Sequence, residues 1–335
     1  MLILDWLAGA PSELLRSSRG KCAKRREGKE ARLRVAGIEA LEERMLLTAV
    51  SNGTVASFVA IPSPAPTVFP QPGDQFGFSV TSIGDLNNDG VADLAVGAPQ
   101  DSTVGYNRGA VYIEFLNADG TVKSTTQIAS GTNGGPAIRD SSEFGSSVTA
   151  IGDINGDGIV DLAVGAPRES VGAFTRGQEV GAVYVLLLNR DGTVKSSTRI
   201  SGTNGGPHLP SFGEFGFSVS NVGDLNGDGI DEVAVGSARG KNVKAARGQV
   251  SILFLNSDGT VKSSTKIASK VGGGPKLADN DVFGTSVSGI GDLNGDGIKD
   301  LAVGAEGDDT NGNSRGAVYI LFLNEKGKVK SFTKI

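Results

Sequence analysis

The sequence predicts an all-β fold made of four repeated, four-stranded antiparallel sheets, and three observations lead to this prediction. A Phe-Gly pair recurs at residues 76, 144, 215 and 283, at intervals of 68, 71 and 68 residues, and a fixed interval of this size indicates structural repeats. The chain has 50 glycines and only 6% aromatic residues. Its many Asp-Gly and Asn-Gly pairs are typical of short strands joined by tight turns. The same order of strand-like segments also follows each Phe-Gly pair.

The last repeat illustrates that order. Its first strand begins at Phe283 and leads into an acidic loop, after which an apolar second strand covers residues 301–305. A variable polar segment follows, and Gly316 then opens a longer third strand that ends at Leu323. A turn leads into the fourth strand, residues 329–335; in the three earlier repeats this turn contains Asp-Gly, which is a strong hairpin signal.

The third strand is apolar on both faces, so it must be covered on both sides. Val318 and Ile320 alternate with Tyr319 and Leu321, whereas a strand with one wet face would alternate apolar and polar residues. Four-stranded sheets that stack on both faces are the blades of a β-propeller. Glu114 departs from this pattern, because the later repeats have leucine at its position; either its neighbour is wetter or the carboxylate has a local partner.

The repeats resemble the FG-GAP repeat of the integrin α-subunit N-terminal β-propeller. The resemblance rests on Phe-Gly, the acidic loop and the Gly-Ala-Pro triplets at residues 97–99 and 165–167, and it extends over residues 76–335. It implies four complete blades, covering residues 76–143, 144–214, 215–282 and 283–335. Members of that family commonly close seven blades.

Residues 50–75 are expected to contain an orphan outer strand and a linker. Residues 53–61 match the spacing of the fourth strand at residues 120–128, although no preceding blade is visible in the sequence. An orphan fourth strand would complete a last blade that lacks one, so we expect the chain to be a C-terminally truncated piece of a larger ring. Further coding sequence without Phe-Gly units would contradict this expectation.

Four acidic loops are predicted to bind Ca²⁺, about one ion per loop and up to four in all. Oxygen-bearing side chains occupy positions one, three, five and nine, position six is glycine, and position seven would offer its backbone carbonyl, as hard cations require. We expect a structural role for the ion. Metal-free turns held by Asx-type hydrogen bonds are the alternative. The candidate ligands are Asp85, Asn87, Asp89, Val91, Asp93, Asp153, Asn155, Asp157, Ile159, Asp161, Asp224, Asn226, Asp228, Ile230, Glu232, Asp292, Asn294, Asp296, Ile298 and Asp300.

The third loop differs from the others, because Glu232 stands where they have aspartate. Its extra methylene is expected to loosen that site, and the adjacent Asp231 to compensate. The resemblance implies that all four loops lie between the first and second strands of a blade, on the face away from the ligand.

Residues 1–49 form a basic N-terminal segment that we interpret as an export or sorting signal. They carry ten Lys or Arg against seven Asp or Glu, which leaves 22 against 30 for residues 50–335. Residues 16–34 are predicted to be disordered and residues 38–47 to form a short amphipathic helix. Leu41-Glu42-Glu43-Arg44-Met45-Leu46-Leu47 resembles the sorting segment of large bacterial surface proteins. An ordinary helix that caps the domain is the alternative.

Composition excludes several functions. One cysteine, Cys22, allows no internal disulfide framework, and one histidine, His208, disfavours a histidine-ligated metal site or a Ser-His-Asp arrangement. The acidic balance of residues 50–335 disfavours nucleic-acid binding. No stretch approaches the roughly twenty apolar residues of a membrane span.

We therefore expect a secreted or cell-surface protein that is not an enzyme. It would act as an integrin-α-like adhesion module that binds an extracellular protein or polysaccharide through its variable loops. The alternatives are a propeller enzyme or accessory module acting on extracellular polysaccharide, and a pure spacer. Arg108, Arg247 and Arg315, which precede the third-strand glycine, are expected to be solvated, with a ring of anion-binding arginines as the alternative.

Overall fold

The computed structural model describes residues 58–61, 73–170, 180–202, 205–207, 213–238, 246–310 and 315–335. The chain divides into two units, Met1–Glu42 and Glu43–Ile335, and all described residues lie in the second. These residues form strands and turns without a helix. The predictions for residues 1–49, and for most of the predicted orphan strand, fall outside the described residues. Residues 58–61 are described and lie in none of the sixteen strands.

The sixteen strands form four sheets of four, which we call blades 1 to 4. Blade 1 contains β1 (Ser79–Gly84), β2 (Asp93–Ala98), β3 (Ala110–Leu116) and β4 (Val122–Ile128). Blade 2 contains β5 (Ser147–Ala150), β6 (Leu162–Ala166), β7 (Ala182–Leu188) and β8 (Val194–Ile200). Blade 3 contains β9 (Phe215–Gly223), β10 (Glu232–Ser237), β11 (Gln249–Leu255) and β12 (Val261–Ile267). Blade 4 contains β13 (Phe283–Gly291), β14 (Asp300–Ala305), β15 (Ala317–Leu323) and β16 (Val329–Lys334).

Each blade is an antiparallel meander in which spatial order follows chain order. All residues of β3, β7 and β11 are buried, so the two-sided apolar pattern of the third strand has the predicted cause. The predicted all-β fold of four-stranded antiparallel sheets is confirmed, and it is consistent with the blades of a propeller.

The hairpin between third and fourth strands is formed by the predicted Asn-x-Asp-Gly turn. In blade 1 the Gly120 amide donates to the Asn117 carbonyl at 2.8 Å, and the Asn117 amide donates to the Thr121 carbonyl at 2.8 Å. Gly120 has φ +82°, a conformation that glycine adopts without strain. The pairing register then shifts between Phe115 and Leu116, so the turn ends in a bulge that fixes the register of the fourth strand.

Apolar side chains fill the space between consecutive blades. Val111, Ile113 and Phe115 of β3 belong to the same buried cluster as Leu162 and Tyr184 of blade 2. A second cluster joins blades 2 and 3, and a third joins blades 3 and 4. Blades 2 and 3 thus bury one face against the blade before them and the other against the blade after them.

The Phe-Gly pair joins each of blades 2 to 4 to the preceding blade. Phe144 is fully buried, and its ring meets Tyr184 edge to face with centroids 5.5 Å apart. Its amide donates to the Arg108 carbonyl of blade 1 at 3.0 Å. The Ser79 hydroxyl of blade 1 donates to the Gly145 carbonyl at 2.8 Å. A side chain at Gly97 would overlap that same carbonyl, so close backbone approach explains the glycine of the second strand.

Blade 4 has an exposed outward face, by which we mean the face that would meet a following blade. The same face of blades 1 to 3 is covered by the next blade. Val318 is 42% exposed, whereas Val250, its equivalent in blade 3, is 0% exposed. A side chain at Gly304 would meet only Ser286 and no carbonyl of another blade. On blade 1, Phe78 and Val80 are likewise exposed.

Candidate metal-binding loops and the opposite edge of the blades

The four acidic loops connect the first strand of each blade to the second, as the resemblance implies. They follow Gly84, Ala150, Gly223 and Gly291, the last residues of β1, β5, β9 and β13. Because the blades are meanders, the hairpins between third and fourth strands lie at the same edge. The connections between second and third strands, and those from one blade to the next, lie at the opposite edge.

The position-one carboxylate organises each loop by accepting backbone amides. In the second loop the Asp153 Oδ1 accepts the amides of Gly156 at 2.7 Å and Asp157 at 3.0 Å. Asp153 Oδ2 accepts the Gly158 amide at 2.7 Å. Asp85, Asp224 and Asp292 accept amides of their own loops in the same way. These are the Asx-type hydrogen bonds expected of a metal-free turn. They also hold the oxygens of the position-one carboxylate in place within the loop.

The position-nine carboxylate is buried beneath the loop. Asp161 is 0% exposed, its Oδ2 accepts the Ile154 amide at 3.1 Å, and its Oδ1 accepts the Leu188 amide at 3.1 Å. Burial raises the pKa of Asp161 to about 7. Asp93 and Asp300 make the equivalent pair of hydrogen bonds. This carboxylate therefore ties the loop to the end of the third strand.

Positions three and five complete the oxygen set. Asp157 Oδ1 accepts the Ile159 amide at 3.0 Å, while Asn155 Oδ1 accepts the Asp157 amide at 3.0 Å. In the first loop Asn87 Oδ1 is buried and has no hydrogen-bond partner among the described residues. A buried oxygen without a donor costs free energy, and a bound cation would remove that cost. The oxygen-only donor set of side-chain and backbone groups suits Ca²⁺.

The third loop brings its carboxylates closest together. Oxygens of Asp224, Asp228 and Glu232 all lie within 4.8 Å of one another, and among the described residues this is the group of three acidic side chains placed to share one ion. Glu232 Oε2 accepts the Leu225 amide at 2.5 Å, and its Oε1 accepts the Asn226 amide group at 2.7 Å. Burial raises the pKa of Glu232 to about 7.

The expectation of a looser third site, compensated by Asp231, stays a prediction, because it concerns how tightly the loop holds an ion. In the structure the Glu232 carboxylate lies close to those of Asp224 and Asp228. The Asp231 carboxylate instead accepts the Asn221 side-chain amide at 2.7 Å. Asp231 therefore contacts β9, the first strand of the same blade.

A lysine on each fourth strand contacts the loop, a contact that is not among those predicted from the sequence. Lys123, Lys195 and Lys262 place Nζ at 2.8, 2.9 and 2.9 Å from Oδ2 of Asp89, Asp157 and Asp228, the position-five residues. Lys330 pairs with Asp296 in the same way. The hydrogen bond from Lys123 lowers the pKa of Asp89. The recurrence of Val-Lys-Ser at the start of each fourth strand was the available signal.

At the opposite edge, two of the three recurrent arginines form ion pairs with the next blade's connector. Arg108 Nε lies 2.6 Å from Asp140 Oδ1, and Arg247 Nε lies 2.8 Å from Asp279 Oδ1. Both arginines are partly exposed, with 31% and 49% of the side chain accessible, as their predicted solvation requires. The sequence did not show that each also has an acidic partner. The same edge carries Tyr106, which is 68% exposed.

Buried acidic groups stabilise the base of this edge. Asp101 is 0% exposed and accepts the Tyr112 hydroxyl at 2.6 Å and the Gln127 amide group at 3.0 Å. In blade 4 the Tyr319 hydroxyl donates to Asp308 at 2.9 Å, and Lys334 lies 2.6 Å from the same carboxylate. These contacts link the β2–β3 and β14–β15 connections to the outer strands. The variable loops thus start from fixed ends.

Two comparisons relate this architecture to known proteins. The FG-GAP repeat model matches residues 76–113, 144–186, 215–253 and 283–321. Integrin alpha-5 of Xenopus laevis is 35% identical over 244 residues, which cover 70% of this chain and 20% of that protein. Integrin alpha-3 of Cricetulus griseus is 38% identical over 172 residues, 50% of this chain and 14% of that protein.

A more distant relative is integrin alpha pat-2 of Caenorhabditis briggsae, 28% identical over 244 residues, or 69% of this chain and 18% of that protein. The chain thus spans a fifth or less of the length of these relatives. Among the described residues no helix is long and apolar enough to span a bilayer.

Proposed function

Because the chain belongs to the FG-GAP repeat family, with four repeats, we propose that it is an integrin-α-like, non-enzymatic interaction module stabilised by Ca²⁺. The observation that supports the metal most directly is the convergence of Asp224, Asp228 and Glu232 within 4.8 Å. The fourfold recurrence of the same loop and the buried, partnerless Asn87 Oδ1 add to it. Positions one, three, five, seven and nine of each loop would hold the ion.

The ion would supply positive charge to three carboxylates that otherwise repel one another. The chain's own contribution is the placement of those oxygens by backbone amides, and the attachment of position nine to both the second and third strands. A ligand that binds only the folded state stabilises it by mass action. We therefore expect Ca²⁺ to stabilise the edge of the blade that carries the loops.

Thermal unfolding of the full chain tests this role. With Ca²⁺ at about 100 times its dissociation constant, stabilisation should reach about 2.7 kcal/mol per site. We expect the unfolding midpoint to rise with Ca²⁺, to fall with chelator, and to respond much less to Mg²⁺. An unchanged midpoint with excess chelator would refute a structural Ca²⁺.

Two neighbouring residues of the third loop provide a matched test of the site itself. Glu232→Gln removes a charge from the oxygen cluster, whereas Asp231→Asn changes a side chain that contacts Asn221 outside it. We expect Glu232→Gln to lower the calcium stoichiometry measured by equilibrium dialysis by one, and Asp231→Asn to leave it unchanged. Equal loss in both variants would contradict the assignment.

The partner surface is proposed at the edge opposite the acidic loops. Loops on a rigid scaffold are where recognition usually resides, and here their ends are anchored by Asp101, Asp308 and the Arg108–Asp140 pair. The partner class is an extracellular protein or polysaccharide. This role also implies a secreted or cell-surface location, where calcium is abundant enough for sites of modest affinity.

A panel of purified matrix proteins and polysaccharides, screened by biolayer interferometry, tests the partner surface. Tyr106→Ala removes an exposed side chain at the proposed edge, and Leu293→Ala removes one of similar exposure from an acidic loop. We expect Tyr106→Ala to weaken binding of any positive probe and Leu293→Ala to leave it intact. Loss of binding in Leu293→Ala alone would place the partner at the edge that carries the acidic loops and contradict the proposal. Cleavage of a polysaccharide probe would contradict the non-enzymatic role.

A further inference from the structure

The pairing of a strand-four lysine with the acidic loop occurs in every blade. The four lysines lie 34 or 38 residues after their aspartates in the chain. They belong to a different strand, and they stand at the same place in the motif each time. The same ion pair is thus formed four times at one position of the repeat.

The contact uses the one oxygen of position five that the loop backbone leaves available. Asp228 Oδ1 accepts the Ile230 amide at 3.1 Å, and Oδ2 receives Lys262 Nζ at 2.9 Å. Asp89 and Asp157 divide their oxygens between backbone and lysine in the same way. The ammonium group thus lies against a carboxylate that a metal ion would also need.

We propose that the strand-four lysine is a built-in counter-cation of each acidic loop, which stabilises the loop without metal and lowers its affinity for Ca²⁺. This inference rests on the proposed function, because it concerns the affinity of the same sites. Lys123, Lys195, Lys262 and Lys330 are then affinity-determining residues. They leave the oxygen ligands intact and set the calcium concentration at which the loops fill.

Electrostatics gives the size of the effect. A single positive charge about 5 Å from a divalent cation, in a solvated and salt-screened setting, should weaken binding about fivefold. The effect should decrease with added salt, because exposed charges are screened. In the absence of metal the same ammonium group offsets part of the repulsion between the loop carboxylates.

The experiment compares two versions of the full chain in which all four lysines are replaced. Lys→Met at residues 123, 195, 262 and 330 removes the charge and retains much of the apolar stem, while Lys→Arg at the same positions retains the charge. Lys266→Met serves as a further control, since Lys266 is an exposed lysine on the same strand as Lys262, away from the loop. Calcium binding is measured by isothermal titration calorimetry, and stability by thermal unfolding in chelator.

We expect the Met version to bind Ca²⁺ about fivefold more tightly at about 0.1 M salt and to unfold at a lower temperature in chelator. The Arg version and Lys266→Met should resemble the unaltered chain in both measurements. Calcium affinity in the Met version equal to or below that of the Arg version would overturn the inference, even if the unaltered chain binds Ca²⁺. Absence of calcium binding in all versions would overturn the proposed function as well, whereas binding only in the Met version would support the inference and show that the lysine replaces the ion.

Discussion

Glu114 is the residue where the repeat pattern and the core disagree. It is 1% exposed and stands where blade 2 has the fully buried Leu186. Its Oε2 accepts the Thr125 hydroxyl at 2.6 Å, but its Oε1 has no hydrogen-bond partner among the described residues. The local partner anticipated from the sequence is therefore Thr125, and it satisfies one oxygen of two.

This arrangement predicts a stabilising substitution. Glu114→Leu should raise the free energy of unfolding at pH 7 by about 1–3 kcal/mol, because it removes a buried oxygen that lacks a partner. Glu114→Gln should raise the free energy of unfolding by less, since the glutamine side chain is still polar and buried. Urea denaturation of the three proteins measures the difference, and a destabilised Glu114→Leu would mean that the carboxylate has a function in the fold.

The same residue predicts a pH dependence. Burial raises the pKa of Glu114 above its value in the unfolded chain, so the unfolded state loses its proton first as pH rises. This group therefore favours the folded state below the unfolded pKa, and its contribution is lost as pH rises toward the folded pKa. In Glu114→Leu that loss should disappear; identical stability profiles from pH 4 to 8 for the two proteins would contradict it.

At the scale of the element, the second strand of blades 1 to 3 contains a glycine that the backbone of the next blade approaches. A side chain at Gly165 would overlap the Gly216 carbonyl of blade 3, whereas one at Gly304 would meet only Ser286. The two positions have the same local partner, because Ser147 lies beside Gly165 as Ser286 lies beside Gly304. They differ in whether the backbone of a following blade lies against the glycine.

Matched substitutions isolate that difference. Gly165→Ala should cost about 3 kcal/mol of unfolding free energy, because overpacking forces the backbone of blade 3 to move. Gly304→Ala should cost less than about 1 kcal/mol. Equal costs in chemical denaturation would mean that strand geometry, rather than the junction, requires the glycine.

The sequence was sufficient for those features that follow from local spacing. Turn residues, two-sided apolar strands and the acidic loops all lie within about ten residues of chain, so their chemistry can be read directly. The contact of Lys262 with Asp228 depends on which strands are neighbours in the folded blade, and the sequence does not show this. The reach of Glu232 depends on side-chain direction, and the partner of Arg108 lies in the connector to the following blade.

At the scale of the whole molecule, the described blades contact one another in chain order. The buried clusters link blade 1 to 2, 2 to 3 and 3 to 4. The stability of such a repeat array is approximately a sum of terms for each unit and each junction. Blade 4 has an exposed outward face in these residues, so it has one covered junction where blades 2 and 3 have two.

Hydrogen exchange should detect this asymmetry. Amides of Ala317–Leu323 should exchange roughly tenfold faster than those of Gln249–Leu255, because local opening of blade 4 breaks one junction rather than two. Both strands are third strands with a neighbour on each side, so their hydrogen bonding is comparable. Equal protection would mean that blade 4 opens only when the whole array unfolds.

The junction between blades also bears on how such a chain lengthens during evolution. Each repeat carries both sides of the junction. Its Phe-Gly pair contacts the preceding blade, and its second and third strands receive the Phe-Gly pair of the next blade, as Gly109 pairs with Phe144. A tandem duplication of one repeat therefore copies both halves together, and the new blade fits its neighbours without a compensating mutation. Blade number is for this reason open to change by recombination in a way that the interior of a single-core domain is not.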